Sequence, residues 1–105
     1  MNDETYTALA NAHRRQLLYW LKEPRKHFPP CLPEHRDLPG VCASYIFAKS
    51  ELSQPTVSQY LHMLERVGLV KRARHGRWTF FSRHEEGIAQ AQAGIIAMLE
   101  GRADG

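Results

Sequence analysis

Residues 52 to 83, LSQPTVSQYLHMLERVGLVKRARHGRWTFFSR, leave the chain few ways to fold. Val57, Tyr60, Leu61, Leu64 and Val67 recur at the i, i+3, i+4, i+7 spacing of a helix with one buried stripe. Ser53 suits the N-cap, and Pro55 is tolerated in the first turn, where N–H groups lack intrahelical partners. Gly68 ends the helix. Immediately behind it, Leu69 to Ala73 and Trp78 to Ser82 are β-rich runs joined by Arg74-His75-Gly76-Arg77, which predicts a hairpin. Trp78, Phe80 and Phe81 are assigned to hairpin and core packing, not to base stacking.

Charge marks the same segment. Residues 54 to 83 hold six cations (Arg66, Lys71, Arg72, Arg74, Arg77, Arg83) against one acid, Glu65, a net +5 in a chain of net +3. Residues 84 to 105 carry four acids and one Arg. The positive charge is therefore local, the footprint of a surface that follows phosphates.

Upstream, Asp3 or Thr5 caps a short first helix ending near Ala10 or Asn11. A second runs from Ala12 to Lys22 with Leu17, Leu18 and Leu21 on one side, and Pro24 stops it. Residues 23 to 41 hold five of the six prolines (Pro24, Pro29, Pro30, Pro33, Pro39), which predicts a long irregular loop. A short helix from Cys42 to Lys49 and a turn at Leu52-Ser53 lead into the capped helix, so residues 42 to 66 form a helix-turn-helix. After the wing, residues 69 to 82, a last helix from His84 to about Glu100 places Ile88, Ala91, Ile95 and Leu99 near one face. The expectation is one mainly α domain, residues 1 to 105, with a two-stranded β wing.

That order of elements is a winged helix-turn-helix. LANAHRRQLLYWL, followed later by LSQPTVSQYLHMLERVGLVKRARHGRWTFF, resembles the ArsR/SmtB family of bacterial metal- and stress-responsive repressors. The resemblance covers most of the chain outside residues 23 to 41. It implies a homodimer built from the first and last helices, each protomer presenting a recognition helix and a wing.

A recognition helix needs short or amide-bearing side chains on its outward, N-terminal side to reach base edges in the major groove. Gln54, Thr56, Ser58, Gln59 and His62 meet that need. Gln59 has the geometry for a bidentate contact to adenine. Arg66, Arg74, His75 and Arg77 are the candidates for phosphates, the wing arginines also for the flanking minor groove. The family often has Ser at the position of Pro55 and Arg or His at that of Gln59, so its operator sequence does not transfer.

The family's thiolate sensors carry a Cys-Val-Cys box at the start of the helix preceding the turn. VCASYI, residues 41 to 46, lies over it, with Cys42 on the first cysteine and Ser44 on the second. A soft ion such as As(III) needs about three thiolates, which Ser44 does not supply. Cys31 offers another sulfur, and His27, Cys31, His35 and Cys42 are metal-capable residue types without a standard zinc spacing. A dithiol switch between Cys31 and Cys42 is a further reading, and a merely buried Cys42 another. The family's second metal site is not matched, because His84, Glu85 and Glu86 have no second histidine further along the last helix.

No G-x-S-x-G, C-x-x-C, H-E-x-x-H or phosphate-binding glycine loop is present, and HEEGI has Ile88 where a zincin has its second histidine. The chain is not read as an enzyme, and no cofactor is assigned. No run approaches the ~18 to 20 apolar residues of a membrane span. The first residues lack a secretory pattern, and two cysteines suit a reducing cytoplasm. The expected function is sequence-specific binding of double-stranded DNA by a homodimeric repressor, also of its own operon, on a near-palindromic operator. Two other readings stand beside it: a thiol-based redox- or metal-responsive repressor using Cys31 and Cys42, and a winged helix serving as a protein-interaction module. The polar Gln59, His62 and Arg66 argue against the last.

Overall fold

An amphipathic helix has to bury its stripe, and here the helices before it and the strands after it supply most of the surface. The computed structural model describes residues 3–29 and 40–102. In chain order its elements are α1 (Asp3–Leu9), α2 (Ala12–Lys22), α3 (Pro24–His27), β1 (Val41–Cys42), α4 (Ala43–Lys49), α5 (Gln54–Arg66), β2 (Val70–His75), β3 (Trp78–Arg83) and α6 (Glu85–Leu99). No helix is long and apolar enough to cross a membrane among the described residues.

Val57, Leu61 and Leu64 of α5 are almost fully withdrawn from solvent, together with Ile46 of α4 and Leu69 just after α5. Leu17, Leu18 and Leu21 of α2, Val41, Val70 and Phe81 of the sheet, and Ala91 of α6 complete one core. Burying each large aliphatic side chain contributes about 1.5–3 kcal/mol, so the stripe of α5 alone outweighs any surface ion pair.

The end of α5 sets the course of both the wing and α6. Gly68 adopts φ +81, a left-handed conformation that costs glycine no Cβ clash. Its N–H donates to the carbonyl of Glu65 (3.0 Å), and the N–H of Leu69 to that of Leu64 (2.9 Å), a Schellman closure. His84 then takes the two carbonyls this closure leaves free. Its N–H donates to Leu69 (3.0 Å), and its Nδ1 lies 3.1 Å from the Gly68 oxygen. The start of α6 is thereby fastened to the end of α5. Arg83 adds a second fastening, its Nη1 donating to the Leu18 carbonyl of α2 (3.4 Å) and its Nε to Glu85 of α6 (2.8 Å).

The wing has a third strand. The antiparallel sheet runs β1-β3-β2, with Val41 opposite Phe81 and Cys42 opposite Phe80. Residues directly opposed share a face, so Val41, Phe81 and Arg72 lie on one side and Cys42, Phe80 and Ala73 on the other. This corrects the two-stranded expectation. A two-residue strand is too short for alternation to reveal it, and its pairing partner lies far away in sequence. The hairpin is also tighter than its composition suggested. The strands reach His75 and Arg83, and His75 pairs with Trp78, which leaves a two-residue turn, Gly76-Arg77. Gly76 at φ +60 supplies the positive φ that such a turn needs at its first central position.

Three further expectations change. Residues 23 to 41 are not irregular throughout, because Pro24 occupies the first position of the single-turn α3 and Val41 belongs to β1. Proline lacks only an N–H that a first turn cannot use, so it both ends α2 and begins α3. Cys42 lies in β1 and caps α4 instead of opening it. On α6, Ala91 is buried and Ile88 packs against the core, but Leu99 is 74% exposed.

The α5–α6 fastening makes a discriminating prediction. A Cβ at Gly87 would fall 1.8 Å from the Gly68 carbonyl oxygen, which belongs to the backbone and cannot swing aside. Helix propensity alone would make Gly87→Ala stabilising by about 1 kcal/mol. We expect overpacking to win, with a loss of about 1–3 kcal/mol in chemical denaturation, whereas exposed Gln90→Ala stays within ~0.5 kcal/mol. A more stable Gly87→Ala protein would disprove this docking of α6. The Arg83 pair predicts a pH dependence. Hydrogen bonding from Arg83, and then its charge, holds the Glu85 carboxyl below its ordinary value of 4.5. Because the folded value is the lower one, the contribution is fully present above the ordinary value of 4.5 and disappears as pH falls through the folded one. Glu85 is well exposed, so Glu85→Gln should cost under ~1 kcal/mol at neutral pH, and its stability should meet the parent's in acid.

Candidate nucleic-acid interface

The exposed side of α5 is held in place by its buried side. Ser53 caps the helix, its Oγ accepting from the N–H of Thr56 (3.3 Å) and lying 2.8 Å from the Thr56 hydroxyl. With Val57, Leu61 and Leu64 locked in the core, the helical period directs Gln54, Ser58, Gln59 and His62 outward, and all four are exposed. Thr56 differs. It is half-buried and its hydroxyl is engaged by Ser53, so it belongs to the cap as much as to the outer face.

Cations surround this row. Arg66, at the last position of α5, is exposed and reaches Glu4 of α1 (3.4 Å). Arg74, His75 and Arg77 are exposed at the tip of the wing. Arg74 donates to the Gly76 carbonyl across the turn (3.4 Å), while the Arg77 guanidinium stacks on Trp78, 5.0 Å from the ring centroid. Both contacts use only part of each guanidinium, whose five donors remain mostly directed to solvent. Of the side chains around the row, Arg66, Arg74, His75 and Arg77 are those the sequence proposes as phosphate contacts. Lys71 and Arg72, also exposed on β2, were not singled out. Strand alternation was the available signal: Arg72 shares a face with Arg74, and Lys71 with His75. Glu65 was visible only as the lone acid of the segment. In the structure it lies between Arg72 of the wing (3.5 Å) and His62 Nδ1 of the helix (3.9 Å), linking the two parts of the proposed contact surface.

Cys42 is buried, and its Sγ lies 3.3 Å from the Ser44 hydroxyl, the residue standing at the second box position. A hydroxyl is a poor partner for a thiophilic ion, so this pair does not fit such a metal. His27 stacks against Tyr19 with centroids 5.0 Å apart, and its buried Nε2 has no hydrogen-bond partner among the described residues. Cys31 and His35 lie outside the described residues. Among those described, no three His, Cys, Asp or Glu side chains gather as a metal site would require.

Similarity to known proteins agrees with this geometry. No family model matches the chain. An uncharacterized HTH-type transcriptional regulator of Bacillus subtilis (strain 168), YbzH, is 45% identical over 87 residues, which span 83% of this chain and 87% of that protein. The crystal structure of an ArsR family transcriptional regulator superposes with a TM-score of 0.69 over 93% of this chain and 86% of its own, at 18% identity. That of Rv0081 from M. tuberculosis gives 0.58 over 94% and 89%, at 24% identity. These structures speak for the fold, and the Bacillus relative for the family. The chain belongs to the HTH-type transcriptional regulators and carries their ArsR-like winged-helix fold.

Proposed function

We propose that the protein is a homodimeric repressor that binds a near-palindromic operator, its own promoter included, and works in the cytoplasm. Helix α5 enters the major groove and reads base edges with Gln54, Ser58, Gln59 and His62, while Thr56 contributes from the cap. Arg66, Arg74, His75 and Arg77 hold phosphates on either side. The observation that carries this reading is the pairing of a polar row, on a helix immobilised by its buried face, with a cationic wing tip. A surface that docked an apolar protein partner would need the opposite character. An immobilised helix matters because a base contact adds affinity only where its side chain is already aimed.

The C-terminal half of α6 supports the dimer. Ile96 and Leu99, about one turn apart on α6, are 49% and 74% exposed, and Met98 is 45% exposed; exposed apolar side chains on one side of a helix are the kind of patch that a partner covers. A second copy offers the same patch across a two-fold axis. The two recognition helices then meet successive major grooves, with half-sites about 34–36 Å apart or a multiple of it.

Titration of the chain's own upstream promoter duplex against an unrelated duplex, over a range of salt, tests the reading. Selective binding that weakens steeply with salt is expected. Gln59→Ala should lose discrimination at one base pair, worth about 1–3 kcal/mol, while Arg77→Ala should weaken all duplexes alike and flatten the salt slope by about one. Equal weakening of every sequence by Gln59→Ala would remove that residue from the base readers. Leu99→Glu should leave helix content unchanged but shift the sedimenting species to monomer and abolish tight operator binding. A Leu99→Glu protein that stays dimeric would remove α6 from the interface.

A further inference from the structure

We propose that Arg14 is a positioning residue that sets the angle between the first helix and the recognition helix, and with it the half-site spacing the dimer accepts. This rests on the dimeric operator reading above.

Helix α1 has seven residues, too few to be stable alone, and its own last turn holds no basic residue to meet the orphan carbonyls there. Carbonyls there accept from α2, that of Thr7 in addition to accepting from the N–H of Ala10. Arg14 donates through Nε to Ala8 (2.8 Å) and through Nη2 to Thr7 (2.9 Å), and Arg15 donates through Nη1 to Leu9 (2.7 Å). Among the described residues, the Arg15 side chain makes no hydrogen bond to α5. Arg14 does reach α5: its guanidinium lies over the Tyr60 ring, 4.9 Å from the centroid. A guanidinium donates in its plane and stacks through its face, so one planar group grips the end of α1 and the middle of α5 at once.

A second contact fixes the other end. Glu4, near the start of α1, reaches Arg66 at the end of α5 (3.4 Å). Residue 4 thus lies beside residue 66, and residues 7 and 8 are tied to residue 60, so α1 runs antiparallel to α5 with two fixed points. The Glu4–Arg66 pair is exposed and contributes little by itself. Arg14 is partly buried and its three contacts use both its charge and its shape. In the dimer that the family resemblance implies, joined through the first and last helices, the angle between α1 and α5 fixes the separation and twist of the two recognition helices. One added base pair moves a half-site by about 3.4 Å and turns it about the duplex axis, so a stiff Arg14 link penalises the change and a loose one does not.

The experiment uses the intact protein and duplexes selected by it from a randomised pool, together with derivatives carrying one base pair added or removed at the dyad. A single half-site serves as control. Wild type is expected to prefer the selected spacing by about tenfold or more. Arg14→Leu, and equally Arg14→Lys, should reduce that preference to about twofold with half-site affinity unchanged, because lysine keeps the charge but neither forks nor stacks. Tyr60→Leu removes the stack from the other side and should do the same; it also carries the test if circular dichroism shows that Arg14→Leu does not fold. Wild-type spacing preference in Arg14→Lys and Tyr60→Leu overturns the proposal. So does a drop in half-site affinity that Arg14→Lys restores, which would make Arg14 a phosphate contact. If the wild-type protein selects no spaced duplex at all, the operator reading falls and the proposal with it.

Discussion

Burial of the apolar stripe of α5 is the interaction on which everything else depends. Val57, Leu61 and Leu64 pack with Ile46 and Leu69 so completely that the helix has one rotational setting about its axis. That setting, and nothing local to the polar residues themselves, aims Gln54, Ser58, Gln59 and His62 at a common surface. The Schellman closure at Gly68 then converts the end of the helix into the start of the wing, and His84 and Gly87 bring α6 against the same point. The outward polar row, the wing and the helix with the exposed apolar end are therefore built out from a single buried junction.

Electrostatics is layered over this frame without competing with it. The cations of α5 and the wing are exposed, and their internal contacts are the weak, solvent-screened kind: Arg66 with Glu4, Arg72 with Glu65, Arg74 with a turn carbonyl. Such contacts orient side chains at little cost and are readily exchanged for phosphates. By contrast, the arginines that hold the fold together, Arg14 and Arg83, direct their donors to backbone carbonyls and to a bidentate carboxylate. The same residue type thus serves two ends of the problem, separated by what lies within reach of the guanidinium.

Much of this was legible in the sequence because the relevant signals are local. The stripe of α5, the Ser53 cap, the Gly68 stop and the two β-rich runs each depend on neighbours within a few residues. The features that were not legible depend on distant partners. Strand β1 exists because Val41 and Cys42 find Phe81 and Phe80, some forty residues on. Thr56, expected only as a base reader, also completes the helix cap, because its hydroxyl meets Ser53. The exposure of Leu99, which periodicity alone placed near the buried face of α6, arises where the core of a single chain runs out. Glu65 looked like a stray acid because its bridging role needs the wing folded back beside the helix.

The central claim is that α5 and the wing tip form one DNA-contacting surface. Its most direct test is a backbone-amide shift map of the isotopically labelled protein, titrated with a duplex of its own upstream promoter sequence. The largest shifts are expected on residues 53 to 62 and 74 to 78, while the C-terminal end of α6 stays unmoved. Shifts centred on α6, or scattered over the surface without concentration on those two segments, would contradict it.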